Sequence, residues 1–366
     1  MPLNCGIVGL PNVGKSTIFN ALTQTQAAQA ANYPFCTIEP NTGLVTVPDA
    51  RLWVLKDIAK TNKVVPQRLE IVDIAGLVKG ASKGEGKGNE FLSAIKNVDA
   101  VLHVVRCFVD PDVIHVDGSI DPVRDIEIID LELMLKDEET VKAALDRSKK
   151  RSQLDKEAAA RVPTLEKLVA AFKELKPVRA LGLTEEQQAH IADLHLITAK
   201  AMLFVCNIGE NDIRVGGNEH SRAVQAHAAK VGAKAILISG KIESELVGLS
   251  GEERTMFMQD LGITEAGVDS LVRAGYEILG LSTYFTAGVQ EVRAWQFQKG
   301  WKAPRCAGVI HTDFEKGFIR AEIAAYEDYV AHKGEKGCRE VGKLRAEGKD
   351  YQMQDGDVCH FLFNKA

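Results

Sequence analysis

Nine residues near the start of the chain, "GLPNVGKST" from Gly9 to Thr17, constrain the fold more than any other stretch. They match the pattern GxxxxGK followed by Ser or Thr. They come directly after an apolar run, "CGIVGL", and they open a helical pattern, "KSTIFNALT". A strand, a glycine-rich turn and a helix in this order point backbone N–H groups at phosphate oxygens. The sequence therefore predicts a phosphate-binding loop in an α/β fold.

The residue types in this loop predict which group contacts which part of a nucleotide. Lys15 would bridge the β- and γ-phosphates, and Ser16 would place its hydroxyl on Mg²⁺, the predicted cofactor. Gly9 and Gly14 allow the backbone to curl around the phosphates. The predicted phosphate ligands are Asn12, Val13, Gly14, Lys15, Ser16 and Thr17.

Two further motifs add candidate ligands for the metal and the γ-phosphate. "DIAGL" starts at Asp73, at the end of a predicted strand, where a carboxylate would hold Mg²⁺ through water. The N–H of Gly76 would approach the γ-phosphate closely, because glycine has no side chain. Thr37 in "PFCTIEPN" lies between the two motifs and is a candidate second Mg²⁺ ligand on a switch loop.

The stretch "CNIGEND" indicates which base is bound, because it stands where many nucleotide hydrolases carry Asn-Lys-x-Asp to read guanine. Asn207 suits adenine, since its amide can accept from N6 and donate to N7. Ile208 would cover the base by apolar contact. Glu210 is one methylene longer than Asp, so its carboxylate need not sit in the guanine-reading position. A polar site built for one base edge discriminates strongly against the other, and these residues favour ATP over GTP.

The position that follows Asp-x-x-Gly is Leu77, where related GTPases have a Gln that orients the attacking water. An aliphatic side chain cannot do this, so another group must substitute. The candidates are an arginine from a partner and His115, on a loop after a predicted strand; a loop histidine without a role is the plainer alternative. His103 lies inside the predicted strand "AVLHVV" and is expected in the core.

Composition is that of an ordinary soluble protein: 366 residues, 45% hydrophobic and 26% charged, with a formal net charge of −5. A global basic surface for nucleic acid is thus not predicted, and RNA contact would need local patches. One such patch is "RSKKR" at 147–151, which is equally compatible with a solvated helix end. Without a signal peptide or an apolar run of about 20 residues, a cytoplasmic protein with no membrane contact is expected. The seven cysteines lack metal-site spacing and are expected to be reduced thiols.

Periodicity divides the chain into three parts. Alternating strand and helix patterns assign 1–120 and 201–280 to one discontinuous nucleotide-binding domain. Residues 121–200, charged and rich in Ala, Leu, Glu and Lys, predict an inserted helical hairpin or coiled coil. The region 281–366 carries β-rich, aromatic runs and an Asp-Gly turn. Its aromatic residues, such as Trp295, Phe297 and Trp301, are expected in the core rather than stacked on bases.

The motifs together resemble a known family. "GLPNVGKST", "NYPFCTIEPN", "DIAGLVKGASKGEGKGNEFL", "NIGE" and "DGDVCHFLFN" are similar, in order and spacing, to the Obg-like ATPases, called YchF in bacteria. The resemblance covers essentially the whole chain. It implies an Obg-type P-loop NTPase domain with an inserted helical arm and a C-terminal TGS domain of β-grasp type. It also implies an ATPase that associates with ribosomes, on the large subunit, with ribosomal RNA contact through the arm and the TGS domain.

The residues and the resemblance together predict an Mg²⁺-dependent ATPase acting as a nucleotide-gated switch on ribosomes. Two alternatives stay open. One is a GTPase translation factor of the same fold. The other is a binding module that uses ATP as a conformational ligand with negligible turnover, an alternative that Leu77 supports.

Overall fold

The structure is a computed structural model that describes residues 3–30, 41–74, 87–113, 115 and 118–364. The chain forms two compact units. The first comprises residues 1–45 and 70–275, and the second comprises residues 46–69 and 276–366.

The strands and helices follow in chain order. The strands are β1 (Asn4–Val8), β2 (Thr42–Thr46), β3 (Val64–Val65), β4 (Arg68–Asp73), β5 (Ala100–Arg106), β6 (Ala201–Asn207), β7 (Lys234–Ile238), β8 (Leu281–Ala287), β9 (Val292–Gln298), β10 (Phe318–Ala324), β11 (Arg345–Glu347) and β12 (Val358–Phe363). The helices are α1 (Lys15–Ala30), α2 (Arg51–Ala59), α3 (Lys87–Asn97), α4 (Pro122–Arg151), α5 (Lys156–Lys173), α6 (Glu185–Ala189), α7 (Glu210–Arg214), α8 (Glu219–Lys230), α9 (Gly240–Val247), α10 (Gly251–Leu261), α11 (Gly267–Ile278), α12 (Ala303–Ile310), α13 (Thr312–Lys316), α14 (Tyr326–Ala331) and α15 (Glu335–Glu340).

The first unit is built on a six-stranded sheet in the order β2-β4-β1-β5-β6-β7. The strands from β4 to β7 run parallel. Every residue of β5 is buried, as its continuous apolar run predicts for a strand covered on both faces. The carboxyl ends of parallel strands share one edge, where α/β folds bind ligands, and the last residues of β1, β4, β5, β6 and β7 lie along it.

The helical insert follows β5 and precedes β6. Helix α4 is capped by the side chain of Asp121, which accepts from the N–H of Arg124, and it runs for 30 residues. Asp155 caps α5, which packs back against α4. Their shared core includes Val141 of α4 and Leu168 of α5, both fully buried. The helical spacing of apolar residues thus produces the predicted hairpin, although it packs within the first compact unit.

The second unit has a mixed six-stranded sheet in the order β11-β10-β12-β8-β9-β3. β8 and β12 are parallel neighbours at its centre and β9 returns antiparallel from β8, an arrangement of β-grasp type. Residues 46–69, which the sequence analysis assigned to the nucleotide-binding domain, pack in this unit. The reason is that β3 extends the sheet beside β9, and Leu52 and Leu55 of α2 enter its core.

The core of the second unit holds one of the three aromatic residues singled out from the sequence. Phe297 is 1% exposed, as predicted, whereas Trp295 and Trp301 are partly buried against the core. An arginine guanidinium lies over the ring of each tryptophan. The guanidinium of Arg293 lies 4.1 Å from the Trp295 ring and that of Arg305 lies 3.8 Å from the Trp301 ring.

The described part of the chain contains six cysteines, all buried and free, in agreement with the expected reduced thiols. Among the described helices, none is both long and apolar enough to span a bilayer.

Candidate functional site: a phosphate loop at the carboxyl edge of the parallel sheet

The loop from Gly9 to Thr17 joins β1 to α1 at the carboxyl edge of the first sheet. Gly14 has φ +90° and a Cβ there would collide with the amide of Asn207, so the loop requires glycine at this position. A Cβ on Gly9 would lie 2.7 Å from the carbonyl oxygen of Val104 in β5, so the loop lies directly against the neighbouring strand. Ser16 and Thr17 are exposed in the first turn of α1.

Lys15 and Asp73, which the sequence assigned to phosphate and metal, meet in the structure. The Nζ atom of Lys15 lies 2.5 Å from Oδ1 of Asp73, and both side chains are largely buried. Asp73 ends β4, and its N–H donates to the carbonyl oxygen of Asn41. Two residues 58 positions apart are thus brought to one point, where a charge of each sign is available.

The residues near this point fit Mg²⁺, which prefers oxygen ligands and is held in such sites by few protein groups plus phosphate oxygens. The exposed hydroxyl of Ser16 and the carboxylate of Asp73 are both hard oxygen donors. Within the described ranges, no cluster of three or more His, Cys, Asp or Glu residues offers an alternative metal site. When bound, the metal would neutralise charge on the β- and γ-phosphates.

Asn207, the last residue of β6, fastens the phosphate loop to the sheet. Its Nδ2 donates to the carbonyl oxygen of Val13 at 2.9 Å, and its Oδ1 accepts from the N–H of Gly240 at 2.9 Å. The side chain is buried, at 5% exposure. From the sequence this amide was predicted to bind adenine. In the structure its nitrogen holds the phosphate loop and its oxygen holds the N–H that begins α9, and a base contact stays a prediction.

Ile208 and Glu210 follow Asn207 on the same edge. Ile208 is 2% exposed, and its N–H donates to the carbonyl oxygen of Ile238. Glu210 starts α7, and its carboxylate lies 3.3 Å from Nζ of Lys241 in the first turn of α9. Both side chains are exposed, so the pair is weak, and the predicted base preference stays a prediction.

His115 is buried and its Nε2 lies 2.9 Å from Oδ2 of Asp125, in the first turn of α4. The other oxygen of Asp125 accepts from Arg124. The pair therefore connects the loop after β5 to the base of the helical arm. His103 lies in β5 at 1% exposure, as predicted for a core residue, but its Nδ1 has no hydrogen-bond partner among the described residues.

Thr37, Gly76 and Leu77 lie outside the described residues, and their predicted roles on the metal, the γ-phosphate and the attacking water stay predictions.

Two residues that organise the carboxyl edge of the first sheet were not predicted from the sequence. Asn218 caps α8, and its Nδ2 donates to the carbonyl oxygen of Cys107 and to the carboxylate of Asp212, so it ties the loop after β5 to that after β6. Gly240 supplies the N–H bound by Asn207. Both had a signal in the sequence, since "GGN" and "SG" are turns directly before helices.

A parallel sheet with a phosphate loop after its first strand, facing an Asp at the end of a neighbouring strand, defines a P-loop NTPase fold. Comparison with known proteins narrows this class, and the chain belongs to the YchF family. It is 55% identical to a Bacillus subtilis protein and 50% identical to an Escherichia coli O157:H7 protein, both named ribosome-binding ATPase YchF, with 100% of each chain covered. The resemblance found in the motifs is thereby confirmed.

Family models and solved structures agree. A model named YchF-GTPase_C, described as a protein of unknown function, matches residues 281–364, and one described as a 50S ribosome-binding GTPase matches residues 4–154. The structure of the Schizosaccharomyces pombe YchF GTPase superposes with a TM-score of 0.89 at 39% identity, covering 98% of this chain and 97% of the other. A Pyrococcus horikoshii GTP-binding protein, at 20% identity and a TM-score of 0.60, shares the fold.

Proposed function

We propose that this protein hydrolyses ATP with Mg²⁺ and acts as a nucleotide-gated switch on the ribosome. The observation that carries the proposal is the pair of Lys15 and Asp73 beside the phosphate loop, because it gathers the groups for phosphate and metal at one point. The charge on Lys15 would stabilise the transferring phosphoryl group, and Ser16 and Asp73 would hold the metal.

The names of similar proteins disagree on the nucleotide. The bacterial relatives are named ATPases, while the Schizosaccharomyces pombe structure is described as a GTPase. Guanine presents two donors that one short carboxylate accepts together, whereas a carboxylate facing N1 of adenine meets a lone pair. Glu210 is instead paired with Lys241, and Ile208 replaces the usual lysine. These features support adenine.

For the attacking water we propose His115, since Leu77 cannot orient it. In the structure Asp125 accepts from Nε2 of His115, which would fix the tautomer and the orientation of the ring, as a carboxylate does in other hydrolytic sites. The pair lies at the root of the arm, so a contact made by the arm could change the position of the histidine.

Ribosome association is supported by the names of the relatives and by the arm. Lys149 and Lys150 are exposed near the far end of α4 together with Arg147 and Arg151, and such a patch suits the phosphate backbone of ribosomal RNA. Part of this charge is compensated, since Lys149 pairs with Glu166 and Arg151 with Asp155. The match to a model described as 50S ribosome-binding makes the large subunit the expected side.

Calorimetry and single-turnover kinetics with ATP and GTP test this proposal. We expect ATP to bind at least about tenfold more tightly than GTP, which is roughly 1.4 kcal/mol, and we expect hydrolysis to require Mg²⁺ and to accelerate with ribosomes. Equal affinities or a preference for GTP would favour the translation-factor alternative. Tight ATP binding with no hydrolysis, even with ribosomes, would favour the other alternative, a binding module that uses ATP as a conformational ligand.

The variant Glu210→Asp is a control for the predicted recognition of adenine. It shortens the carboxylate but leaves Ile208 in place, so it should not create a good GTP site.

A further inference from the structure

A cavity of about 190 Å³ lies in the first unit between α3, the middle of α4 and the segment that precedes β6. A water molecule occupies roughly 30 Å³ in the liquid, so the cavity has room for a phosphate group and several further atoms. Its polar lining comes from Ser93 and Lys96 of α3, Lys136, Asp137 and Thr140 of α4, and His195.

The single carboxylate in this lining, that of Asp137, is already committed. Asp137 is 2% exposed and accepts from the N–H of Ile197 at 2.9 Å, and from the N–H and the hydroxyl of Thr198, each at 2.7 Å. Three donors therefore satisfy the carboxylate, which serves to hold the segment before β6 against α4. What the cavity offers a ligand is set by the other side chains.

Those other side chains are donors. The charge of Lys96 also stabilises the Asp137 carboxylate, but within the described ranges no direct ion pair occupies the Lys96 ammonium or the His195 imidazole. Lys136 pairs with Glu139 at 2.9 Å, but both side chains are exposed enough for solvent to weaken the pair. Ser93 adds a hydroxyl. Two ammonium groups against one carboxylate give the lining a net positive charge, which favours an anion.

His195 follows the short turn Ala192–Leu194, and its exposed side chain belongs to the same lining.

We propose that this cavity binds a small phosphorylated molecule, with Lys96 and Lys136 on the phosphate and Ser93 and His195 as further donors. The proposal is independent of the ATPase assignment. A small molecule fits better than a nucleic acid strand because the donors converge on one small, partly open pocket between three segments. Since α3 follows the segment that contains Gly76, and α4 is the arm, a ligand held by both helices would stabilise one arrangement of arm and nucleotide-binding sheet.

Calorimetric titration with inorganic phosphate tests the proposal. The full chain carrying Lys15→Ala is the background, since this substitution weakens phosphate binding at the P-loop. We expect one phosphate to bind per chain in this background, and we expect Lys96→Ala or Lys136→Ala added to it to weaken binding at least about tenfold. Lys142→Ala, on the same helix and paired with Glu138, is the matched control and should leave binding unchanged.

Each outcome of the titration either supports or overturns the proposed phosphate site. Absence of phosphate binding in the Lys15→Ala background, or binding that is insensitive to both cavity variants, would overturn the proposal, as would a response confined to an RNA oligonucleotide. Lys96→Arg should retain most of the affinity, and thermal unfolding should show that all variants are folded. The affinity for Mg·ATP of the single variants Lys96→Ala and Lys136→Ala should stay unchanged, so failure here is distinguishable from failure of the ATPase assignment.

Discussion

The ammonium nitrogen of Lys15 lies 2.5 Å from Oδ1 of Asp73, so the positive charge of the phosphate loop is paired with the carboxylate that ends β4. In the proposed function Lys15 binds the phosphates and Asp73 the hydration shell of the metal, so Mg·ATP would have to separate this pair. We therefore expect nucleotide affinity to depend on Mg²⁺.

The substitution Asp73→Asn tests this coupling. It removes a negative charge from the phosphate site and releases Lys15, so ATP affinity in EDTA should rise severalfold above that of the wild type. Hydrolysis with Mg²⁺ should fall by at least about tenfold, because the metal loses its carboxylate. Calorimetry with and without Mg²⁺ measures the first effect and single-turnover kinetics the second. Asp193→Asn, which breaks an ion pair with Arg161 in the arm, is the control and should change neither.

Lys15→Ala should abolish hydrolysis, by at least about 10³-fold, because it removes the charge that would stabilise the β- and γ-phosphates in the transition state. The fold should stay intact, since Lys15 is not part of the hydrophobic core and water can solvate the Asp73 carboxylate in its place. Single-turnover kinetics and thermal unfolding check both statements. Wild-type turnover in this variant would exclude the phosphate site.

Asn207→Ala should impair both purines alike. It leaves the carbonyl oxygen of Val13 and the N–H of Gly240 without their buried partner, which costs about 1–3 kcal/mol of stability. The loop would lose its link to β6, so ATP and GTP affinities should drop by similar factors. A loss confined to ATP would instead show that the amide reads the base. Asn20→Ala, at an exposed position on α1, is the matched control.

The phosphate loop and the helical insert could be predicted because each depends on local pattern. "GLPNVGKST" sets its own turn through Gly14, and the spacing of residues such as Ile126, Ile129 and Leu133 sets the buried face of α4. Position 207 shows what a local sequence pattern cannot predict. The motif marks Asn207 as part of the site, but its two bonds run to residues 194 and 33 positions away, and those distances exist only after the sheet has formed.

Residues 46–69 could not be placed from sequence for the same reason. The strand β3 has two residues, and it belongs to the second sheet because Val64 pairs with Val292, more than 200 positions later. Nothing in a short apolar run indicates which of two sheets it will extend. His115 was singled out from the sequence as a histidine on the loop after a predicted strand, but its partner Asp125 appeared only in the structure.

His115→Ala should lower the single-turnover rate by about 10²- to 10⁴-fold, the range for groups that orient or deprotonate a nucleophile. ATP affinity should barely change, because the contact matters mainly in the transition state. Asp125→Asn should lower the rate too, since it removes the carboxylate that holds the ring. His220→Ala, on α8, is the matched histidine control. An unchanged rate in folded His115→Ala would point to an arginine supplied by a partner.

The free energy of unfolding should decrease as the pH decreases, because His103 is buried in its neutral form. Burial lowers the pKa of His103 from 6.5 to about 3, with the nearby charges of Arg179 and His227 acting in the same direction. Between these two values the unfolded chain binds a proton that the folded chain does not, so unfolding is favoured as the pH decreases. The contribution is fully present above pH 6.5, and about 2 kcal/mol of it is lost between about pH 7 and pH 5.

The substitution His103→Phe isolates this effect. Phenylalanine keeps an aromatic ring of similar size next to Phe204, whose ring centroid lies 5.6 Å from that of His103, and it removes both the titrating group and the Nδ1 atom that lacks a partner among the described residues. The free energy of unfolding, measured by urea titration at several pH values, should therefore depend less on pH than in the wild type. Some dependence should persist, because burial also lowers the pKa of His227. His360→Gln, at an exposed position on β12, should keep the wild-type slope. An unchanged slope in His103→Phe would mean that other groups control the acid sensitivity of this fold.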